Sequence, residues 1–304
     1  MDLFQLETFL AVAEERSFSR AAARLNRTQP AVSQTVAKLE AELGEVLLER
    51  SSRDGTVTAA GAVLRDYAQK LLNLRSEAAG ALSELRSLHR GRLNLAANEY
   101  TCLYLLPLLD QFRRQNPLVK IAVQRSFASR IPDEVLMHAV EIGVLTFKPN
   151  DPQIKSVVVY RDQLALVVSP AHPLARQAEV SIKQLGATNF VAHNVPSPQR
   201  QKVIQAFERH RTPLQMGVEL PSIEAVKRFV EMGNGAALVP GLTVARELAD
   251  GSLVQIRLKD FQIERKLRLI YRRQASLSHA AVAFLNVVEA FAASNGSPFE
   301  FRAG

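Results

Sequence analysis

Between Phe9 and Leu43 the apolar positions recur at helical spacing and read as two short helices meeting at a corner. Ser19 is placed to cap a helix that runs to Leu25, and Asn26 and Arg27 break it. Thr28 is placed to cap a second helix, whose first turn tolerates Pro30 because early backbone N–H groups have no intrahelical partner. Ala21, Ala22 and Leu25 face Ala31, Val32, Val36 and Leu39, small and branched side chains that let two helices cross closely. Gly44 ends the second helix, and Val46–Arg50 and Thr56–Thr58 read as the strands of a wing around a turn at Ser51–Gly55. From Thr58 one long helix is predicted. Its Leu64, Tyr67, Leu71, Leu74, Ala78, Ala81, Leu85 and Leu88 alternate at steps of three and four. Such a seam predicts a two-stranded coiled coil and hence a dimer, with Leu64, Tyr67, Leu71, Leu74 and Leu85 as contacts; a single helix packed on its own domain is the alternative.

After Gly91 the pattern alternates between the two periods. Strands are predicted at Arg92–Ala97, Val119–Gln124 and Ile142–Leu145, separated by a helix to Gln115 and another over Pro132–Ala139. Further strands fit Ile154–Tyr160, Leu164–Ser169, Phe190–Ala192, Met216–Leu220, Ala236–Val239 and Leu267–Tyr271, with helices at Ser222–Met232 and Leu277–Ala292. This is an α/β pattern with a largely parallel sheet. The stretch Ser294–Gly304 reads as a frayed tail.

Charge sharpens the reading of the first ninety residues. From Arg16 through Lys38 there are Arg16, Arg20, Arg24, Arg27 and Lys38 and no Asp or Glu, so the local field favours a polyanion. Gln29, Ser33, Gln34, Thr35 and Lys38 lie on the outward face of the second helix, able to reach base edges or phosphates from the major groove. Ser17, Arg27, Thr28 and Pro30 flank them. Arg53 at the wing tip suits a minor groove; Arg50 suits a phosphate or an acid of its own domain. A helical corner with a solvated basic face is the plainer alternative. The net charge of +8 is not this signal, because acids and bases balance through residue 90 and the excess lies downstream.

Residues 1 to 90 resemble the DNA-binding domain and linker helix of LysR-type transcriptional regulators. The resemblance rests on Leu6–Glu14, Ser17–Ala22, Thr28–Ser33, Leu39–Gly44, Leu48–Arg50 and Thr58–Gly61 in that order and spacing. Gln34 departs from it, standing where many relatives carry a basic residue. The resemblance covers nearly the whole chain. It implies an all-α winged helix-turn-helix (1–58), a coiled-coil linker helix (59–90) and an α/β, periplasmic-binding-protein-like effector domain (91–304). In that domain lobe one is 91–161 plus 268–295, lobe two is 162–267, the tail is 296–304, and the crossings fall at Arg161–Asp162 and Lys266–Arg268.

Effectors in such sheets sit beyond strand carboxyl ends, where helix N-termini offer unpaired N–H groups. Asn98-Glu99-Tyr100-Thr101, Ser126-Phe127 and Thr146 follow the first strands, and His193, Ser197 and Ser222 lie in the matching loops of lobe two. Thr101, Ser126, Thr146, Ser197 and Ser222 are the leading candidates; Ser197 and Ser222 read equally as helix caps, and His193 more readily as a hydrogen-bonded loop residue than as a ligand group. An anion is weakly favoured, whereas Glu99 leaves room for an amine or zwitterion. With 304 residues and 47% hydrophobic content the chain supports two or more domains. Its single cysteine, Cys102, excludes an intramolecular disulfide or a multi-cysteine metal cluster. No dinucleotide, phosphate-loop or nucleophile-elbow motif and no paired histidines at metal spacing occur, so neither catalysis nor a cofactor or metal is expected. The expected partners are double-stranded DNA, a small-molecule effector, a second copy in a homodimer or in a homotetramer built as a dimer of dimers, and RNA polymerase where the protein activates. No membrane span or secretory signal is read, which places the protein in the cytoplasm.

Overall fold

The computed structural model describes residues 1–49, 56–86, 91–195, 197–262, 264–274, 277–294 and 296–303. The chain forms two compact units, one of Met1–Arg92 with Asp133–Val140 and the other of Leu93–Pro132 with Glu141–Gly304.

In the first unit, helices α1 (Leu3–Glu15), α2 (Phe18–Arg24) and α3 (Gln29–Leu43) precede the long α4 (Ala59–Arg86). Leu6, Phe9, Val12, Ala21, Val32, Val36 and Leu39 close one core, to which α4 contributes Ala68. Ser17, not Ser19, caps α2: its Oγ accepts from the Arg20 N–H at 3.3 Å. The serine two residues earlier wins because the chain must leave α1 through Arg16, which adopts φ 49°. Asn26 makes the corner in the left-handed region (φ 53°), a conformation its short polar side chain tolerates. Thr28 does occupy the N-cap position of α3, but its hydroxyl makes no capping bond.

The predicted wing strands reduce, among the described residues, to a bridge between Leu48 and Val57. Its root is pinned by Glu40, a buried acid on α3 that accepts from the Leu47 and Leu48 N–H groups at 2.8 and 3.2 Å. Thr58 donates to the Val46 carbonyl at 2.6 Å and accepts from the Gly61 N–H at 3.0 Å. Gly61 has no substitute there: a Cβ would lie 2.1 Å from the Leu47 carbonyl oxygen.

On α4 the predicted seam splits by face. Leu64 and Leu72 pack against the helix-turn-helix core, whereas Tyr67, Leu71 and Leu74 are 66%, 40% and 45% exposed, as are Val63 and Leu82. Leu64 therefore serves its own domain, and the free apolar stripe runs through Val63, Tyr67, Leu71 and Leu74. The side chains of Leu85 and Leu88 lie outside the described residues.

The second unit is built on strands β1 (Arg92–Ala97), β2 (Lys120–Arg125), β3 (Ile142–Leu145), β4 (Ile154–Val168), β5 (Glu179–Val180), β6 (Asn189–His193), β7 (Gln215–Leu220), β8 (Ala236–Pro240), β9 (Val254–Leu258), β10 (Glu264–Arg272) and β11 (Phe299–Ala303). Helices α5 (Glu99–Gln115), α6 (Ile131–Leu136), α7 (Pro198–Arg209), α8 (Ile223–Glu231), α9 (Ala245–Asp250) and α10 (His279–Ala293) complete the succession. The strand order is β2-β1-β3-β10-β4-β8-β6-β7. The sheet is mixed rather than largely parallel: β1/β3, β6/β8 and β6/β7 run parallel, while β10 and β4 are antiparallel to each other and to their outer neighbours β3 and β8. Periodicity gives a strand's burial, not its direction, so this was beyond the pattern.

One lobe surrounds Leu93, Leu95, Tyr104, Phe112, Leu269 and Phe284. The other has a core on each sheet face, one around Phe190 and Phe207 and one around Val191 and Val226. The segments Ile154–Tyr160 and Leu164–Ser169 prove to be one continuous strand, β4, that serves both lobes. Its Arg161 and Asp162 stand opposite Lys266 and Arg265, and a register shift falls at Leu267/Arg268. The tail does not fray: β11 pairs with β4, and Phe299 is buried against Tyr160 and Phe291.

Candidate functional site

Two surfaces carry the residues singled out by the sequence. On α3, Val32, Val36 and Leu39 face the core, which leaves Gln29, Pro30, Gln34 and Lys38 exposed and Ser33 half-buried on the outer side. Thr35 is spent on the backbone, its hydroxyl donating to the Ala31 carbonyl at 2.8 Å. Thr28 and Arg27 are exposed beside it, with the Arg27 guanidinium 5.7 Å from the Phe4 ring centre. The basic field is narrower than the acid-free sequence suggests. Folding brings Glu14 and Glu15 of α1 to Arg24 at 2.6 and 3.4 Å and raises its pKa by hydrogen bonding, while Arg20 donates to the Glu15 carbonyl. Ser17 is half-buried as a cap, so its hydroxyl is committed. Arg50 and Arg53 lie outside the described residues.

In the second unit a cavity of about 780 Å³ opens at the strand ends, between the two lobes. Asn98, Glu99, Tyr100, Ser126, Phe127 and Thr146 line it from one lobe, and His193 and Ser197 from the other. Thr101 and Ser222 do not. Thr101 is completely buried, and its hydroxyl accepts from the Asn98 N–H at 3.0 Å in a reciprocal cap of α5, where Asn98 Oδ1 accepts from Tyr100 and Thr101. Ser222 accepts from the Ala225 N–H at 3.2 Å and caps α8. Ser197 also caps its helix, at 3.1 Å from the Arg200 nitrogen, yet still faces the cavity.

Two contacts bridge the cavity walls. Gln199 donates to Thr146 at 3.1 Å, and the Tyr100 hydroxyl meets Nε2 of His193. The Val195 N–H donates to His193 Nδ1 at 3.4 Å, which puts the ring hydrogen on Nε2, 3.1 Å from the Pro221 carbonyl. Burial holds the His193 pKa below its ordinary value, and burial raises that of Tyr100, so both rings are neutral near pH 7. Cys102 packs at the lobe core, and burial raises its pKa too, which keeps it a thiol.

Sequence reasoning missed Arg265, which is 6% exposed and lines the cavity from β10. Its Nη1 donates to Asp162 and to the Tyr104 hydroxyl, both at 3.2 Å, and Tyr104 in turn donates to Asp162. Among the described residues its Nε is buried without an acceptor. The charged run Glu264-Arg265-Lys266 reads as a solvated edge, and no local signal tells which of the three turns inward. Missed likewise were Arg125, Phe190 and Leu238, which face the cavity from strands or their ends.

A helix-turn-helix with an exposed polar recognition face, joined in one chain to a two-lobed α/β domain with a cavity between its lobes, defines a ligand-responsive DNA-binding regulator. The chain belongs to the LysR family of transcriptional regulators: residues 3–62 match the bacterial regulatory helix-turn-helix protein, lysR family, and residues 86–293 match the LysR substrate binding domain. It is 33% identical to a probable RuBisCO transcriptional regulator of Synechocystis over 293 residues, covering 94% of this chain and 85% of the relative. Full-length CbnR, solved in complex with its target DNA, shares the fold with a TM-score of 0.73 at 23% identity over 95% of this chain and 99% of that one. The regulatory domain of Synechocystis CcmR in complex with 2-PG matches with a TM-score of 0.60 at 22% identity, over 66% of this chain and 97% of that one. Among the described residues no helix is long and apolar enough to cross a membrane.

Proposed function

We propose that this regulator reads duplex DNA with α3 and the wing, pairs through α4, and is switched by a small molecule held in the cavity between the lobes. In this reading residues 1–58 bind DNA, 59–90 join subunits and 91–304 receive the effector. Gln29, Ser33, Gln34 and Lys38 reach base edges or phosphates; Arg27, Thr28, Pro30, Arg50 and Arg53 flank them on the backbone or in the minor groove. Asn98, Glu99, Tyr100, Ser126, Phe127, Thr146, His193 and Ser197 face the effector. The protein acts in the cytoplasm without catalytic chemistry, as a homodimer or a dimer of dimers, and engages RNA polymerase where it activates.

The observation that carries the reading is the cavity itself, ringed by strand ends and by the capped N-termini of α5 and α7 in the same domain. Because the relative from Synechocystis is named for RuBisCO transcription, DNA upstream of RuBisCO genes is the first duplex to try. Footprinting of the full chain on that DNA and on duplexes selected from a random pool tests the assignment. A protected site with two-fold symmetry that is lost in Gln29→Ala/Ser33→Ala is the expected result; no sequence enriched above background would overturn it.

A further inference from the structure

The basic excess of the chain does not reach the cavity. Three arginines, Arg125, Arg200 and Arg265, line it, and among the described residues three carboxylates answer them. Asp162 stands 3.2 Å from Arg265, Glu219 engages Arg200, and Glu99 shares the exposed rim with Arg125. These charges sum to zero. Many of the hydrogen-bonding groups are spent within the wall as well. Tyr100 meets His193, Gln199 donates to Thr146 at 3.1 Å, Arg200 donates to the His193 carbonyl at 2.9 Å, and Asn98 and Ser197 accept from their own helix starts. The inner wall of lobe two offers hydrocarbon instead. Phe190, Val203, Leu214 and Leu238 belong to one hydrophobic core of that lobe or pack on it, and the same four side chains line the cavity. An ion placed there would give up its water beside counter-charges that are already paired, and the hydroxyls of a sugar would lose hydrogen bonds without replacement. A hydrocarbon body would extend the core.

We propose, resting on the cavity as the effector site, that its ligand is an uncharged molecule whose apolar body seats against Phe190, Val203, Leu214 and Leu238. A polar end of that molecule lies at the rim, where Glu99 and Arg125 keep water around it. Anions and cations are the poorer fit, because Arg200 and Arg265 each already face a carboxylate. A zwitterion finds opposite charges together only on the rim, where water screens them.

Displacement of N-phenyl-1-naphthylamine, an uncharged dye that brightens in apolar surroundings, tests this on the full chain. The dye should bind, and 1-octanol and octanamide should displace it at concentrations about tenfold or more below those needed of octanoate, octylammonium and octyl phosphate, which share the hydrocarbon chain but carry a charge. Octanamide separates charge from polarity: it is polar and neutral, so it should group with the alcohol. Ala192→Trp, which fills part of the cavity from β6, should weaken dye binding about tenfold or more, since the indole takes the space of the apolar body. Absence of dye binding, or a charged congener that displaces as well as octanol and loses that ability in Ala192→Trp, overturns the inference while the cavity stands as a site. Binding of the dye and of every congener undiminished in Ala192→Trp would overturn the effector site itself.

Discussion

Ser17 and Thr28 occupy equivalent positions at the starts of α2 and α3, yet only Ser17 makes a side-chain cap. Ser17→Ala should lower the stability of the amino-terminal unit by about 1 kcal/mol, and Thr28→Ala by no more than a few tenths. Urea melts of the full chain followed by circular dichroism measure both; equal losses would contradict the bonding pattern. Thr28 then differs from Ser17 in having its hydroxyl free for DNA, so its alanine variant should lose DNA affinity more than stability. His193 offers a test in pH. Burial depresses its pKa, as it does that of His172, so the folded domain binds fewer protons than the unfolded chain just below the ordinary histidine value. Their contribution to stability is complete above about pH 6.5 and is lost as pH falls toward the folded values. Thermal midpoints should therefore decline from about pH 7 to about pH 5.5, less steeply in His193→Gln, with His172 supplying the remaining slope. A slope unchanged by that substitution would refute the role given to His193.

At the scale of elements, α4 carries the clearest consequence. Tyr67, Leu71 and Leu74 stay exposed among the described residues, whereas Leu64, Leu72 and Ala68 face the core, so the helix presents one stripe inward and a second, exposed one outward. Leu71→Glu/Leu74→Glu should separate subunits, since burying unpaired charge costs several kcal/mol, and leave the helix-turn-helix folded. Sedimentation reads the assembly, and an unchanged mass would reject α4 as the interface. Gly61→Ala should do the reverse: its Cβ collides with the Leu47 carbonyl, which detaches the start of α4 from the wing root and lowers stability before it affects assembly. Periodicity made α4 legible but could not divide its apolar positions between two faces, because Leu64 and Leu71 satisfy one heptad equally and only the packed α1 and α3 decide which is covered.

For the molecule as a whole, DNA binding and ligand binding are linked only by the difference in a ligand's affinity for two states, typically about 1–3 kcal/mol. Gln34→Ala should change which duplexes are selected, while Lys38→Ala should weaken all of them alike and reduce the dependence of log affinity on log salt by about one unit. Selection from a random pool and binding across a salt series distinguish the two, and a change of preference in Lys38→Ala would reverse the assignment. Arg20 and Arg24 should contribute little to that slope, because Glu15 and Glu14 hold them on α1.

Much of the molecule was determined by sequence alone. The corner at Asn26, the long α4 and the spans Arg92–Ala97 and Ile142–Leu145 follow from caps, periods and turn residues, which act over one or two turns of chain; the cavity loops at Asn98–Tyr100, Ser126, Thr146 and His193 followed from the family resemblance. What only the tertiary structure decided involves partners far apart in sequence. Thr101 and Ser222 look like the neighbouring hydroxyls that reach the cavity, but their oxygens are consumed by their own helix starts. Strand direction, the continuity of β4 through both lobes and the pairing of β11 depend on which edges meet. Arg265 turns inward because Asp162 and Tyr104, 103 and 161 residues away, converge on its guanidinium. Local propensity has no term for such a contact; a buried charge is placed by the distant groups that offset its loss of water.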